Sequence, residues 1–494
     1  MRAQHQAGEV AHDDTRRVLT FAEWDREVDE VAGGLAAAGL KPGDRLFLPI
    51  SNANAVEMMI AVLAGLRAGA IVCPVNPRLT PSEMKEYAEL IEPAVCITNV
   101  PERLAGAAVG QVFDVAAMPR DLSALPDQES LDAQADAYIL QTSGTTGGKL
   151  KGVVISHPDL LGQTDGLSRE PSKSMAHALP MTGTGGAIAA GLQPIKSGAT
   201  VYTQPKFEPA GFMAMVQAKK PDTLFFVPTM LRLILDLPNV ADFDLSGTTW
   251  LLTGSAPLPH DSVVRTLELW PHIKMRNTYA MSEGGAQLST KTKTAILKPG
   301  CVGQMGPHMQ IRDEAGELVG PGVVGEVWGK AANPRRYWRD EAATTASFVG
   351  GWTKTGDLGY VDPDGDLILC GRSKELIIRG GYNITPLEIE TALYQHPAVK
   401  DAAVVGVDHP VLGEDVAAAV TLQTGAQATP DALQAWCKQH LADNKQPRTL
   451  LILEELPVNP NGKILKRELK PLLQAAADER RAKAGLDTAA RGLG

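Results

Sequence analysis

Strand-forming runs alternate with helical patterns across residues 19–319, and this alternation narrows the possible folds more than any other feature. Thr20 is followed three positions later by Glu23, a capping-box spacing that predicts the start of a helix. Short apolar runs such as residues 45–50 and 94–99 are typical of buried strands. Strands that alternate with helices favour layered α/β subdomains with a largely parallel sheet, and we expect this fold class here.

The chain is too long for one hydrophobic core, and its pattern of predicted strands and helices changes twice along the sequence. Its 494 residues, 44% of them hydrophobic, predict two or more domains. Within residues 306–371, short strands such as 317–319 and 325–328 are separated by Gly, Pro and Asp turns, which predicts a small β subdomain. Residues 374–494 mix strands and helices in a small α+β unit. We therefore expect a large N-terminal domain, 1–373, followed by a small C-terminal domain.

The composition argues against several functional classes. A net charge of −10 argues against a broad nucleic-acid surface, which needs clustered Lys and Arg. The five cysteines are scattered without pairs or metal spacing, as is typical of reduced thiols in the cytoplasm. The most apolar stretch, 55–75, is interrupted by Glu57 and Arg67, so it predicts a buried helix and strand instead of a membrane span. We expect a soluble, cytoplasmic protein, and a homodimer is compatible with the sequence.

A loop rich in glycine and hydroxyl groups follows the predicted strand 138–141. It reads Thr142-Ser143-Gly144-Thr145-Thr146-Gly147-Gly148-Lys149. Successive backbone N–H groups in such a turn can form an anion nest, and either Lys149 or Lys151 can neutralise phosphate charge. A Walker A loop needs Ser or Thr directly after the lysine, whereas Leu150 follows Lys149. The loop therefore predicts a phosphate site of a different kind.

The loop and the following Lys151-Gly152-Val153 resemble the signature of the adenylate-forming superfamily. This family contains acyl-CoA synthetases, luciferases and peptide-synthetase adenylation domains. Its members usually have one residue and then Pro-Lys-Gly after the last loop glycine, whereas here one extra residue is present and the proline is missing. Both Lys149 and Lys151 therefore remain candidates for the loop lysine. The resemblance assigns ATP phosphates to Ser143, Gly144, Thr145, Thr146 and Gly147.

A second motif carries the metal assignment. Tyr279-Ala280-Met281-Ser282-Glu283 resembles the family's Tyr-Gly-x-Thr-Glu motif, in which the glutamate helps to hold Mg²⁺ on the ATP phosphates. A hard cation prefers oxygen ligands, so the resemblance makes Glu283 and Thr146 the expected metal ligands. Thr142 and Glu283 are expected to be catalytic. Tyr279, Ala280 and Ser282 are expected to contact the nucleotide.

Adenine and ribose are assigned by two further resemblances. Gly254-Ser255-Ala256-Pro257 resembles the family segment that flanks adenine, where small residues let a flat base approach. Asn277 is a further candidate contact for the nucleotide. Asp357, in Thr355-Gly356-Asp357, resembles the aspartate that binds both ribose hydroxyls, and the resemblance also places Arg372 on the ribose.

The remaining motifs concern the C-terminal domain. Lys374 resembles the family's hinge, about which the C-terminal lid rotates between adenylation and thiolation. Gly380 and Gly381 resemble the loop that lines the pantetheine tunnel for coenzyme A. Lys463, in Asn461-Gly462-Lys463-Ile464, resembles the terminal catalytic lysine, which bridges the attacking carboxylate and the α-phosphate. These motifs occur in the family's order, and the resemblance covers roughly residues 19–473.

The acid-binding segment departs most from the family. Many relatives have a Phe and a His where this chain has Thr182 and Gly183, and removing two rings leaves volume. This pattern favours a bulky aryl, alicyclic or polycyclic acid, with an ordinary medium-chain acid as the alternative. The expected pocket residues are Met181, Thr182, Gly183, Gly185, Phe226, Thr229, Met230, Ser255 and Gly284.

The resemblance implies an ATP-dependent acid–thiol ligase with MgATP, a carboxylic acid and coenzyme A as reactants. One alternative is an adenylating enzyme that loads a carrier protein or performs mainly the first half-reaction. A degenerate nucleotide-binding regulator would be expected to have lost Glu283 or Lys463, and both are present. A P-loop phosphotransferase is disfavoured by the missing Walker hydroxyl.

Overall fold

In the computed structural model, the described part of the chain comprises residues 2–143, 150–167, 173–284, 287–331, 333, 335–458 and 464–483. These residues group into two units. The segments of the first are Met1–Ser255, Arg265–Ser289 and Trp328–Thr355, and those of the second are Ala256–Val264, Thr290–Val327 and Gly356–Gly494.

Strands and helices alternate along most of the chain, as the sequence predicts. The strands are β1 Val10–Asp13, β2 Val18–Thr20, β3 Arg45–Leu48, β4 Ile71–Pro74, β5 Val95–Thr98, β6 Gln111–Asp114, β7 Asp136–Ser143, β8 Leu150–Ser156, β9 Ser174–His177, β10 Thr200–Thr203, β11 Thr223–Phe226, β12 Trp250–Gly254, β13 Lys274–Ala280, β14 Gln287–Ser289, β15 Cys301–Gln304, β16 Met309–Arg312, β17 Gly325–Lys330, β18 Arg336–Tyr337, β19 Phe348–Val349, β20 Trp352–Val361, β21 Asp366–Arg372, β22 Ile377–Arg379, β23 Tyr382–Ile384, β24 Val399–His409, β25 Gly413–Leu422 and β26 Thr449–Ile452.

The helices lie between these strands and at both ends of the described chain. They are α1 Arg2–His5, α2 Phe21–Ala37, α3 Ala55–Arg67, α4 Pro81–Ile91, α5 His157–Leu167, α6 Gln193–Ser197, α7 Pro209–Lys219, α8 Pro228–Leu235, α9 His260–Leu269, α10 Lys293–Leu297, α11 Glu341–Ser347, α12 Pro386–Tyr394, α13 Pro430–His440 and α14 Lys466–Lys483, and a π-helix spans Thr184–Ala190.

Two mixed sheets, largely parallel, organise the first unit. Among the described residues, one sheet has the order β18-β8-β7-β4-β3-β5-β6 and the other has the order β14-β13-β12-β11-β9-β10-β1-β2. Antiparallel pairing is confined to β7, β8 and β18 in the first sheet and to β2 and β14 at the edges of the second. This arrangement confirms the predicted α/β fold class.

Helices α2 and α3 fill the space beside both sheets. The predicted capping box is present: the Glu23 backbone N–H donates to the Thr20 hydroxyl, and the Glu23 carboxylate accepts from the Thr20 backbone N–H at 2.9 Å. One cluster of buried side chains combines residues of α2 and α3 with strand residues of both sheets, including Leu19 and Leu46. The apolar stretch 55–75 therefore forms a core helix and strand. Within the described ranges, no helix is long and apolar enough to cross a membrane.

The second unit is richer in antiparallel strands. A sheet of order β15-β21-β20-β17-β16 includes β17 and β20, which run across the unit boundary along the chain, and β19 pairs with β20. A further sheet has the order β23-β22-β25-β24, with β26 parallel to β25. The predicted strand 317–319 is wrong: Leu318 makes only an isolated bridge to Arg312 and is exposed. In the described backbone, the pairing is limited to this bridge and the two hydrogen bonds that flank it, from the Asp313 N–H to the Glu317 carbonyl and from the Val319 N–H to the Ile311 carbonyl.

Candidate functional site

The glycine-rich loop connects two antiparallel strands of the first unit. Thr142, in β7, pairs with Lys151 in β8, and Ser143 pairs with Leu150. Gly144, Thr145, Thr146, Gly147 and Lys149 lie outside the described residues. A P-loop is followed by a helix, whereas here the chain continues directly as strand β8. The topology thus agrees with the missing Walker hydroxyl in arguing against a P-loop enzyme.

Lys151 faces an aromatic ring that the sequence analysis did not single out. Its ammonium nitrogen lies 4.6 Å from the ring centroid of Tyr337, a distance typical of a cation–π contact. Tyr337 belongs to β18, which pairs with β8 so that Tyr337 stands opposite Val153. The strand that follows the glycine loop is thereby joined to a segment nearly 190 residues later in the chain.

Glu283 lies in the turn after β13 and is held by the same tyrosine. The Tyr337 hydroxyl donates to Glu283 Oε1 at 3.1 Å. Burial, together with the Glu283 carboxylate, raises the pKa of Tyr337 well above its usual value, so the phenol stays protonated and can donate. The turn itself is closed by the Gly284 N–H, which donates to the Met281 carbonyl at 3.1 Å. Tyr279 and Ala280 precede the turn at the end of β13.

Arg335 is a second residue that the sequence analysis missed. Its guanidinium is buried and donates to Asp159 Oδ2 at 2.5 Å and to the carbonyl of Ser282. Asp159 lies in the first turn of α5, directly after β8. The Ser282 hydroxyl also lies 3.1 Å from the hydroxyl of Thr184. No local pattern signals these contacts, because the partners come from four distant parts of the chain.

Glu283 provides the kind of ligand that Mg²⁺ requires. Magnesium is commonly held by one or two carboxylates together with substrate phosphates, so a site need not contain a cluster of protein ligands. Among the described residues, no group of three His, Cys, Asp or Glu side chains is placed to hold a metal. The Glu283 carboxylate on its turn therefore fits the predicted ion. The other predicted ligand, Thr146, lies outside the described residues.

The segment predicted to bind the acid packs against the Glu283 turn through its π-helix. Met181 is buried, and its N–H donates to Asn52 Oδ1 at 3.0 Å. Thr182 and Gly183 lead into the π-helix, which contains Gly185 and whose first residue, Thr184, touches Ser282. Other predicted pocket residues are dispersed: Phe226 is buried at the end of β11, whereas Thr229 is exposed and Met230 half-buried in α8.

The predicted adenine segment begins at the end of β12. Gly254 stands opposite Thr278 of β13, and a Cβ atom on Gly254 would meet the Thr278 carbonyl oxygen at 2.9 Å. Ser255 follows with a left-handed backbone, φ 71°, and the chain then continues to Ala256 and Pro257. Asn277 is nearly buried in β13, one residue before Thr278. The close strand approach explains the glycine at position 254.

In the second unit, the two predicted ribose residues meet. Asp357 of β20 and Arg372 of β21 are register partners, and Arg372 Nε donates to Asp357 Oδ1 at 3.0 Å. Gly356, with φ 72°, donates its N–H to the Glu326 carboxylate at 3.1 Å. Ser373 donates its hydroxyl to the Gly356 carbonyl at 3.2 Å. A carboxylate and a guanidinium are thus presented side by side.

Three of the C-terminal candidates, Lys374, Gly380 and Gly381, are described and lie in turns. Lys374 is the middle residue of the short 3₁₀ turn Ser373–Glu375. Gly380 and Gly381 form the turn between β22 and β23 with φ of 57° and 85°, a backbone that favours glycine. Lys463 lies outside the described residues. The described segments that precede and follow it are paired with each other, because Val458 bridges to Ile464 and the Leu465 N–H donates to the Pro457 carbonyl at 2.8 Å.

Comparison with known proteins covers nearly the whole chain. The chain is 32% identical over 473 residues to a feruloyl-CoA synthase from Amycolatopsis sp, with 92% of this chain and 93% of the relative covered. It is also 32% identical to a 2-succinylbenzoate–CoA ligase from Geobacillus kaustophilus, with 94% and 95% covered. ATP-bound MatB from Rhodopseudomonas palustris superposes with a TM-score of 0.84 at 28% identity, with 94% and 96% covered.

Two family profiles account for the two parts of the chain. The profile of the AMP-binding enzyme C-terminal domain matches residues 388–463. The profile described as AMP-binding enzyme matches residues 1–338, more than half of the chain. The motif order, the α/β fold and these matches agree, and the chain belongs to the family of AMP-binding, adenylate-forming enzymes.

Proposed function

We propose that this protein is an ATP-dependent acid–CoA ligase. A carboxylate oxygen attacks the α-phosphorus of ATP, the bond to pyrophosphate breaks, and an acyl-adenylate forms. The thiol of coenzyme A then attacks the acyl carbon and displaces AMP. The observation that carries this proposal is the joining of the glycine-loop strand β8 to the Glu283 turn through Tyr337, which contacts both Lys151 and Glu283. Two curated relatives that cover nearly the whole chain, one named as a CoA synthase and the other as a CoA ligase, support it.

Each side chain has a proposed role in the first half-reaction. Thr142 and the glycine loop bind the phosphates, with Lys149 or Lys151 as the loop lysine. Glu283 holds the magnesium ion, which when bound neutralises phosphate charge. Lys463 stabilises the charge that develops between the carboxylate and the α-phosphate. Preorganised charges of this kind accelerate phosphoryl chemistry mainly by positioning and electrostatics.

We propose that Asp357 and Arg372 bind the ribose and that the hinge lies at Lys374, between an N-terminal domain 1–373 and a C-terminal domain 374–494. The contacts on either side of Lys374 support this position. Ser373 is bonded to the Gly356 carbonyl in β20. On the other side, Glu375 accepts from the Lys466 ammonium at 2.8 Å.

The Lys466 contacts extend the anchoring on the C-terminal side of the proposed hinge. The Lys466 ammonium also lies 2.8 Å from Glu390 Oε1, which ties α14 to α12. Burial of Lys466 lowers its pKa, but the Glu390 and Glu375 carboxylates outweigh it and the net pKa is raised, so the cation persists. Lys374 thus lies between two neighbours with side-chain contacts on opposite sides, in a short turn between strands, and hinges commonly occupy such positions.

For the acid, we propose a bulky aryl or alicyclic substrate, with a medium-chain acid as the alternative. Thr182 and Gly183 stand where many relatives have two rings, which leaves room for a large acyl group. Two relatives at 32% identity are named for aromatic acids, feruloyl and succinylbenzoyl, and this supports the aryl option. Gly380 and Gly381 leave space for the pantetheine arm in the proposed second step. A cytoplasmic location and a homodimer also stay predictions.

The test is a panel of acids incubated with MgATP, with and without coenzyme A. Pyrophosphate release reports adenylation, and mass spectrometry distinguishes acyl-AMP from acyl-CoA. We expect acid-dependent pyrophosphate release and a thioester only when coenzyme A is present. Acyl-AMP that persists with coenzyme A would favour the adenylating or carrier-loading alternative. A strict preference for acids of two to four carbons would contradict the proposed pocket.

A further inference from the structure

The Arg335 side chain is buried, and its positive charge is paired with the carboxylate of Asp159. Its side chain is only 3% exposed, and its Nε donates to Asp159 Oδ2 at 2.5 Å. A buried guanidinium needs both a counter-charge and hydrogen-bond acceptors, since an unpaired buried charge costs several kcal/mol. Asp159 provides the counter-charge and the Ser282 carbonyl provides an acceptor. With its charge matched and its side chain enclosed, Arg335 is placed to hold protein groups and not to reach for a phosphate.

The guanidinium also presses against the turn that carries Glu283. A Cβ atom on Gly284 would lie 2.8 Å from both Cζ and Nε of Arg335. Gly284 has φ 76°, a left-handed backbone conformation that is strained for residues with a side chain. Ser282 and Gly284 stand on either side of Glu283; Arg335 donates to the Ser282 carbonyl and occupies the space that a side chain at position 284 would need. Arg335 therefore adds a buried side-chain contact to a turn that is also closed by the hydrogen bond from the Gly284 N–H to the Met281 carbonyl.

The residues after Arg335 complete the attachment. Arg336 and Tyr337 form β18, which pairs with Val154 and Val153 of β8, and the Tyr337 hydroxyl holds the Glu283 carboxylate. Asp159 follows β8 by three residues. Contacts to the backbone of the turn and to the Glu283 carboxylate thus both connect Glu283 to strand β8, which follows the glycine loop.

We propose that Arg335, anchored by Asp159, is a positioning residue that holds Glu283 in place relative to strand β8, so that the carboxylate can hold magnesium on the ATP phosphates. This inference rests on the proposed function of Glu283. Arg335 acts through Glu283 and touches no reactant. Groups that orient a metal ligand typically change metal affinity or activity by about 10- to 100-fold when removed.

The experiment compares Arg335→Gln, Arg335→Lys and Asp159→Asn with wild type in acid-dependent pyrophosphate release at varied Mg²⁺ and fixed ATP. We expect Arg335→Gln to raise the Mg²⁺ concentration for half-maximal rate about tenfold or more. Arg335→Lys should recover part of the loss, because an ammonium can still pair with Asp159. Arg336→Gln is the matched control, because Arg336 is an adjacent, half-exposed arginine paired with Asp136, and we expect wild-type Mg²⁺ dependence.

A double-mutant cycle separates positioning from general loss of structure. In a Glu283→Gln background, Arg335→Gln should add little to the Mg²⁺ requirement, because the ligand that it positions is already gone. Equal effects in both backgrounds, or a lower thermal midpoint with unchanged Mg²⁺ dependence, would overturn the proposal. If Arg335→Gln does not fold, Asp159→Asn tests the same anchor by removing only the counter-charge, and an unchanged Mg²⁺ requirement in that variant would overturn the proposal. Wild type without acid-dependent pyrophosphate release would instead refute the proposed function itself.

Discussion

Tyr337 shows how much a single side chain contributes to this protein. Its ring face meets the Lys151 ammonium, and its hydroxyl donates to Glu283. One residue therefore touches both a cation and an anion that the motifs assign to ATP binding. Because the phenol pKa is raised by burial and by Glu283, the hydroxyl keeps its proton throughout the neutral range. The proposed chemistry therefore depends on charged side chains, Lys151 and Glu283, that a neutral tyrosine holds in place.

Lys463 is the residue whose substitution most directly tests the proposed mechanism. Lys463→Ala should slow adenylation by about 100-fold or more, the range seen when one preorganised donor to a developing charge is lost. Thioester formation from supplied acyl-AMP should be nearly unchanged, because the phosphoryl step is already complete. Pyrophosphate release and acyl-CoA formation are measured separately in the same preparation. Lys438→Ala, on α13, is the control and should keep both rates. Undiminished adenylation in Lys463→Ala would refute the role.

At the level of elements, hairpin β20–β21 carries both proposed ribose ligands and is clamped at its turn. The Lys298 ammonium lies 2.7 Å from Asp362 Oδ2, 2.8 Å from Asp364 Oδ2 and 2.7 Å from Asp366 Oδ2. These hydrogen bonds, the one to Asp362 first, raise the Lys298 pKa. Removing the cation would leave three carboxylates in repulsion at one end of the hairpin.

The clamp predicts a coupled effect on stability and ATP binding. Lys298→Gln should lower the thermal unfolding midpoint by about 2 to 4 °C. It should also raise KM for ATP, because the hairpin carries Asp357 and Arg372. Lys220→Gln, which removes an exposed pair with Asp244 alone, is the control and should do neither. Differential scanning fluorimetry at low and high salt measures the shift, which salt should reduce. Equal midpoints for the two variants would contradict the clamp.

The whole molecule brings together two histidines that are far apart in sequence. His12 of β1 and His177 of β9 are buried in the same sheet, with β10 between their strands. Burial, and for His12 also the nearby His177, lowers the pKa of His12 to about 3, and burial lowers that of His177 to about 4. Both rings are therefore neutral in the folded protein at neutral pH, whereas an unfolded histidine titrates near 6.5.

This difference predicts acid lability. Below pH 6.5 the unfolded chain binds two protons that the folded chain does not, so stability falls as pH drops from about 6.5 toward 4. The slope is about 1.4 kcal/mol per pH unit for each histidine. Urea midpoints between pH 7.5 and 5 measure it. His12→Phe should flatten the slope, whereas the exposed control His308→Gln should not. A slope that is unchanged in His12→Phe would reject this explanation.

Features that depend on neighbouring residues were readable from the sequence. The Thr20–Glu23 capping box and the helix–strand alternation formed as expected, because backbone propensity and capping act within a few residues. Each motif is likewise a pattern of a few neighbouring residues, and the order of the motifs along the sequence indicated the family. The prediction of strand 317–319 was wrong because a strand this short forms only where a neighbouring strand pairs with it, and residue type alone does not show that pairing.

Contacts between distant segments were decided only by the tertiary structure. Arg335 meets Asp159 across 176 residues, and Tyr337 meets Glu283 across 54 residues. Both contacts depend on β18 adding to the edge of β8, a pairing between two short runs that no local pattern specifies. A motif lists the chemical groups, but the distance between them is set by how strands from remote parts of the chain pair and bury their side chains. The alternation of helices and strands predicted the α/β class, and the folded sheets decided which side chains hold Glu283 in place.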